Sequence, residues 1–154
     1  MKAVIVGYGS IGKRHSENLS KFKNIQCFVV TNRKRVKFPS KNFQKFSSLD
    51  KCLKLNPDIG LVTNESHVHM KTAIKLANAG CHIFVEKPLS HNGLQIKKLL
   101  KLVNKKNLVT LMGCNFRFHP CLIQIKKLIS AKEIGRIIFV QAEHGSFLPD
   151  WHPS

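Results

Sequence analysis

An open, doubly wound parallel α/β sheet is the fold class that this 154-residue sequence predicts. Three observations carry the prediction. Short runs that are apolar at nearly every position recur along the chain, as strands buried on both faces require. Segments with apolar residues at helical spacing separate those runs. The first run ends in a glycine-rich turn that leads directly into the first helical segment.

In chain order, "AVIVG" (3–7), "IQCFVVT" (25–31), "DIGLVT" (58–63), "HIFVE" (82–86) and "LVTLMG" (108–113) read as strands. Between them, helical spacing is carried by Ile11, His15, Leu19 and Phe22, then by Met70, Ala73, Ile74 and Ala77, then by Ile96, Leu99, Leu100 and Val103. Ser47 with Asp50 has the form of a capping box for a short helix ahead of "NPDIG", and Gly80 stands where the helix containing Met70 should stop. Beyond Gly113 the pattern changes. "CNFRFHPCLIQIKKLISA" predicts a helix with Pro120 near its first turn, and "GRIIFVQAEHG" a strand after a turn at Gly135. A lone strand cannot bury its faces, so residues 114–154 are expected to begin a second, truncated α+β domain after a first domain over 1–113.

Composition excludes several classes. At 43% hydrophobic and 22% charged residues the chain is neither disordered nor collagen-like, and its length suits one core that buries roughly 70% of the unfolded surface. The charge is unusual: 26 Lys and Arg against 8 Asp and Glu give +18, with no acid between Asn18 and Leu49 or between Lys87 and Lys132. Such a surface attracts polyanions. The lysines are scattered on the polar sides of expected helices, without an aromatic-interleaved basic ribbon, which disfavours specific nucleic-acid recognition. Five cysteines without a CxxC pair read as reduced thiols, and no metal site is assigned. No run approaches 18 apolar residues and the N-terminal run is too short for a signal peptide, so no membrane partner is expected and the cytoplasm is the expected compartment.

The chemistry is expected at "VIVGYGSIGKRH", where Gly7, Gly9 and Gly12 form GxGxxG between a strand and a helix. Gly7 permits a tight turn, Gly9 lets backbone amides approach a pyrophosphate, and Gly12 permits close helix packing; Ser10 and Ile11 open the helix whose N-terminus favours the anion. The strand-turn-helix context selects a dinucleotide site over a ligand-free glycine turn. After the second strand stands "VVTNRKR", without the acid that would bond the ribose 2′-hydroxyl of NAD. Asn32 and Arg33, followed by Lys34 and Arg35, favour the 2′-phosphate of NADP, with NAD as the alternative that a neutral Asn32 still accepts. On residue types alone, Glu86 and Lys87 also read as an exposed charged pair at a strand end that Pro88 stops.

Together, "GYGSIGKRH", "CHIFVEKPLS" and "GCNFRFHP" resemble the glucose-fructose oxidoreductase / inositol dehydrogenase / rhizopine catabolism (Gfo/Idh/MocA) family of NAD(P)-dependent sugar oxidoreductases, in the same order and over essentially the whole chain. The resemblance implies a Rossmann domain over 1–113 that binds a nicotinamide dinucleotide, followed by the start of a substrate and oligomerisation domain. It implies that Lys87 is catalytic, lying near the nicotinamide and acting on the reacting oxygen during hydride transfer to or from a sugar or nucleotide-sugar carbon, that Glu86 positions it, and that both belong to the cofactor-binding set. It aligns Thr63 and Asn64 with cofactor-contacting positions and His69 with a family histidine, which on its residue type also reads as a helix cap or packing group. A Glu at 65 replaces the family's usual Pro. Asn115, Arg117 and His119 match the crossing segment between domains, where the Arg contacts cofactor or substrate; the competing reading makes Phe116 and Phe118 core and leaves the polar residues in water. "GSFLPDWHP" is similar to members that modify sugars for cell-surface glycans, which implies a nucleotide sugar or acidic sugar. The family's Asp and His on a later helix have no counterpart here, and Asp150 and His152 are given no such role. The expected partners are therefore the dinucleotide, a sugar-type substrate, and a homo-oligomeric or complementing chain. Two other functions compete: a non-catalytic NADP-binding module and a basic nucleic-acid-binding protein.

Overall fold

The computed structural model describes residues 1–145. It contains β1 (Lys2–Val6), α1 (Ser10–Leu19), β2 (Gln26–Val30), β3 (Phe43–Phe46), α2 (Leu49–Leu53), β4 (Ile59–Val62), α3 (His69–Asn78), β5 (His82–Val85), α4 (Ile96–Lys105), β6 (Thr110–Met112) and α5 (Pro120–Ser130). The six strands form one sheet in the order β3-β2-β1-β4-β5-β6, every neighbouring pair parallel. This is the doubly wound α/β fold that the alternating runs predict. The chain divides into two compact units, Met1–Cys114 and a second beginning at Asn115.

Strand alternation feeds two cores, one on each face of the sheet. Val4, Val6, Phe28, Val62, Ile83 and Val85 pack with Cys52 of α2, Met70, Ala73, Leu76 and Ala77 of α3, and Leu99 and Val103 of α4. Ala3, Ile5, Cys27, Val29 and Leu61 face the other way, with Tyr8, Phe43, Leu19, Phe38 and Phe84. Burial of each large side chain such as Phe28 or Leu76 contributes about 1.5–3 kcal/mol. At Gly60 a Cβ would lie 2.6 Å from the Leu76 methyls, so glycine lets α3 sit directly on β4. α3 ends in a Schellman motif: Gly80 takes φ +87°, its N–H donates to Ala77 O, and Cys81 N–H donates to Leu76 O. Pro120 is the first residue of α5, as expected from the sequence.

The structure corrects several expectations. β3 is an additional edge strand, whose "FQKF" buries only Phe43. β6, the other edge strand, is exposed at all three residues rather than buried on both faces. The strand expected at "RIIFVQAEH" is not formed: residues 135–145 are irregular, as a segment without a pairing strand among the described residues has no ladder to satisfy its amides. α1 stops at Leu19, so Phe22 falls outside the helix and is exposed, and Leu100 lies on the outer side of α4. Ser48, not Ser47, caps α2, without a side-chain capping bond, while Asp50 pairs with Lys75 at 2.7 Å. In the second unit Phe116 and Phe118 are exposed rather than core. Asp150 and His152, with the tail "SFLPDWHPS", lie outside the described residues. Among the described residues no helix is long and apolar enough to cross a membrane.

Candidate functional site

Parallel register brings the carboxyl ends of all six strands to one edge of the sheet. Val6 stands opposite Val30 on β2 and Val62 on β4, and Val62 opposite Val85 on β5. A line of amides continues past the strands: Gly7 N–H donates to Val30 O, Thr63 N–H to Val6 O, Glu86 N–H to Val62 O and Gly113 N–H to Val85 O, all at 2.8–3.0 Å. The edge therefore collects the glycine turn, the start of the basic loop, Thr63–Asn64, Glu86–Lys87 and Gly113. Strand order reverses between β1 and β4, the position at which open α/β sheets leave a crevice for ligands.

The glycine turn is built as its spacing predicts. Gly7 adopts φ +100°, and a Cβ there would lie 2.6 Å from Asn64 N, so glycine is needed for both conformation and space. A Cβ on Gly12 would collide with the Gly7 carbonyl oxygen. At Gly9, by contrast, a Cβ would meet nothing within 4 Å. Gly9 is the N-cap of α1 and supplies no side-chain cap, so the first amides of the helix, at Ser10, Ile11 and Gly12, have neither an intrahelical acceptor nor a capping oxygen. Open space above free amides at a positive helix end is a cradle that fits a pyrophosphate.

Two residues between and beside the glycines fix this turn. The buried Thr63 hydroxyl reaches both Val6 O (3.0 Å) and Gly7 O (2.9 Å), close enough to donate to either. Tyr8 is buried, donates its hydroxyl to Lys37 O at 3.2 Å and meets the Phe38 ring edge-on, tying the turn to the loop after β2; burial pushes its phenol pKa up. In that loop Asn32 and Arg33 are exposed, Arg33 N–H donates to Thr31 Oγ1, and Lys45 Nζ donates to Arg33 O at 2.5 Å. Among the described residues neither Arg33 nor Arg35 enters an ion pair.

Asn64 donates Nδ2–H to Thr72 Oγ1 at 2.9 Å, while its Oδ1 is buried without a partner among the described residues. His69, buried at 1% exposure, sets Nδ1 2.8 Å from Pro88 O and Nε2 2.9 Å from Asn64 O. It thus joins the Asn64 loop to the Lys87–Pro88 turn, whose peptide bond is cis. Glu86 faces His15 Nε2 with Oε1 at 2.8 Å and accepts the Lys87 N–H on Oε2 at 3.2 Å. Lys87 itself is exposed.

Of the residues expected at a site, Gly7, Gly9, Ser10, Ile11, Gly12, Asn32, Arg33, Asn64, Glu86 and Lys87 all belong to this edge of the first unit. Arg117 lies on the 3₁₀ turn Asn115–Phe118 of the second unit, and His119 is the N-cap of α5. Tyr8, His15 and Thr72 were not expected there. Among the described residues no three His, Cys, Asp or Glu side chains stand together as a metal site.

Comparison with known proteins agrees with this architecture. Residues 1–114 match the Gfo/Idh/MocA family, described as an oxidoreductase family with an NAD-binding Rossmann fold. Over 98 residues the chain is 38% identical to a levoglucosan dehydrogenase of Pseudarthrobacter phenanthrenivorans, covering 62% of this chain and 24% of that protein. Over 144 residues it is 24% identical to a myo-inositol 2-dehydrogenase of Thermotoga maritima, covering 88% and 42%. A solved scyllo-inositol dehydrogenase from Lactobacillus casei, with bound NAD(H) and scyllo-inositol, superposes with a TM-score of 0.77 at 23% identity, covering 89% of this chain and 43% of that one. The chain thus spans less than half the length of the relatives it matches.

Proposed function

The chain belongs to the Gfo/Idh/MocA oxidoreductase family with its NAD-binding Rossmann fold, and on that premise we propose that residues 1–113 hold a nicotinamide dinucleotide, NADP in preference to NAD, for oxidoreduction of a sugar-type substrate. One observation carries the reading: the open space over Gly9 beside the uncapped N-terminus of α1, at the reversal point of the sheet. Amides of Ser10, Ile11 and Gly12 would bind the pyrophosphate, and Gly7 would keep the turn tight. Arg33, helped by Asn32, would clasp the 2′-phosphate, because its guanidinium is not engaged in an ion pair among the described residues. The orphaned Oδ1 of Asn64 would accept a hydrogen bond from a donor group of the dinucleotide.

When bound, the nicotinamide supplies or accepts the hydride. Lys87, presented at the end of β5, would donate a charged hydrogen bond to the reacting oxygen and stabilise negative charge there. Glu86 would hold the Lys87 backbone through Oε2, and its remaining lone pairs leave it free to accept a hydrogen bond from the cofactor as well. Arg117, which the resemblance aligns with a cofactor or substrate contact, belongs to the second unit. The names of the relatives, for levoglucosan and for myo-inositol, support a polyhydroxylated ring as the substrate class. A second copy of the chain or a complementing chain would be its protein partner, and the five free cysteines support a reducing, cytoplasmic setting.

Titration with NADPH, followed by the fluorescence of the reduced nicotinamide, tests the reading. Saturable binding that survives moderate salt is expected. Salt-sensitive DNA binding without saturable NADPH or NADH binding would instead support a basic nucleic-acid-binding module.

A further inference from the structure

We propose that His15 is a positioning residue: acting through Glu86, it fixes the turn that carries Lys87 relative to the helix that the glycine turn opens. The proposal rests on the role given above to Lys87. His15 lies on α1, half-buried, and Glu86 directly follows β5; the two are 71 residues apart in sequence and 2.8 Å apart in space. The Glu86 carboxylate is held from three sides. Oε1 faces His15 Nε2, Oε2 accepts the Lys87 N–H, and Gly113 closes the remaining side, where a Cβ would lie 3.0 Å from Oε2. Glycine at 113 therefore leaves room for this carboxylate in this position. The His15 ring is oriented in turn by the edge-on contact with Phe84, whose centroid lies 4.9 Å away.

The consequence is a chain of contacts from α1 to Lys87 that bypasses the sheet: imidazole, carboxylate, amide. Glu86 is 12% exposed at its side chain and His15 18%, so water competes only weakly for the pair. A positioned donor loses effectiveness when it is displaced by as little as an ångström. Fixing the Lys87 backbone from α1 ties that donor to the same helix whose N-terminus would receive the pyrophosphate. Packing against Phe84 alone would need only a ring at position 15; the link to Lys87 needs a ring or amide nitrogen that donates.

Two substitutions separate these roles. His15→Gln retains a donor that can reach Glu86, whereas His15→Phe retains a ring on Phe84 and removes the donor. In nitrogen-15 spectra of the unliganded chain, the Lys87 amide signal should stay near its original position in His15→Gln and move clearly in His15→Phe. In the unaltered His15 background, Glu86→Gln should move both the Lys87 amide and the His15 ring-nitrogen signals, which keeps the test open if an α1 variant folds poorly. A Lys87 amide unmoved by His15→Phe, or moved as far by His15→Gln as by His15→Phe, overturns the proposal. So does a Glu86→Gln chain in which the His15 ring signals stay fixed. No dinucleotide is needed for this readout, so its failure is distinct from a failure to bind NADPH.

Discussion

Nδ1 of His69 lies 2.8 Å from the carbonyl oxygen of Pro88, and the same ring's Nε2 lies 2.9 Å from Asn64 O. A neutral imidazole donates to only one of the two at a time, so the ring can serve either loop while filling the space between them. Removing it leaves a cavity and a carbonyl oxygen without its donor. His69→Ala should cost about 2–4 kcal/mol of stability, from lost packing and lost hydrogen bonding together. Urea unfolding checks this, and a loss below about 0.5 kcal/mol, the scale of an ordinary surface change, would contradict it.

Gly9 and Gly12 should respond differently to enlargement. Gly9→Val places its side chain in open space, so the fold should survive while NADPH affinity falls by at least about tenfold, or 1.4 kcal/mol. Gly12→Val drives a Cβ into the Gly7 carbonyl and should lower stability as well. Circular dichroism melts beside fluorescence titrations separate the two outcomes. Unaltered binding by Gly9→Val would move the cofactor site elsewhere.

NADPH should bind more tightly than NADH by about 1–3 kcal/mol, the scale of hydrogen bonds to charged groups. Arg33→Ala should erode the preference while leaving NADH affinity nearly unchanged. Equal affinities of the original chain for the two cofactors would remove the NADP assignment. An undiminished preference in Arg33→Ala would transfer the role to another residue of the loop.

The thiols should divide into two classes. Burial pushes Cys27 up to about 11 and Cys81 to about 11, and burial with the neighbouring Cys81 takes Cys52 to about 12. Their thiolate forms are scarce at pH 8, and reaction needs the thiolate. A thiol reagent at pH 8 should label exposed Cys121 and partly exposed Cys114 promptly, and the other three only after unfolding. Mass spectrometry of the labelled peptides gives the answer; prompt labelling of Cys52 would contradict the buried core.

Strands β1, β2, β4 and β5 were legible because burial on both faces leaves nearly uninterrupted apolar runs such as "AVIV" and "CFVV". β3 was not, since "FQKF" at an edge needs only one buried side chain and carries polar residues elsewhere. "RIIFVQAEH" has strand composition without a strand, because β-propensity reports a fit to neighbours that this segment lacks among the described residues. The glycine turn could be read from spacing, as Gly7 and Gly12 each answer a local steric demand, while Gly9 leaves the space over the first helix amides open. His15 with Glu86, and Tyr8 with the loop after β2, could not, because they join residues far apart in sequence through tertiary contacts alone.

A nicotinamide dinucleotide is proposed to bind over the glycine turn at the carboxyl edge of the sheet. Titrating the nitrogen-15-labelled chain with NADPH reads this at each backbone amide. Saturable shifts are predicted at Gly9, Ser10, Ile11 and Gly12, with Arg33 and Lys87 following the same binding curve. An absence of saturable shifts at the four glycine-turn amides, or shifts confined to residues beyond Asn115, would contradict the account.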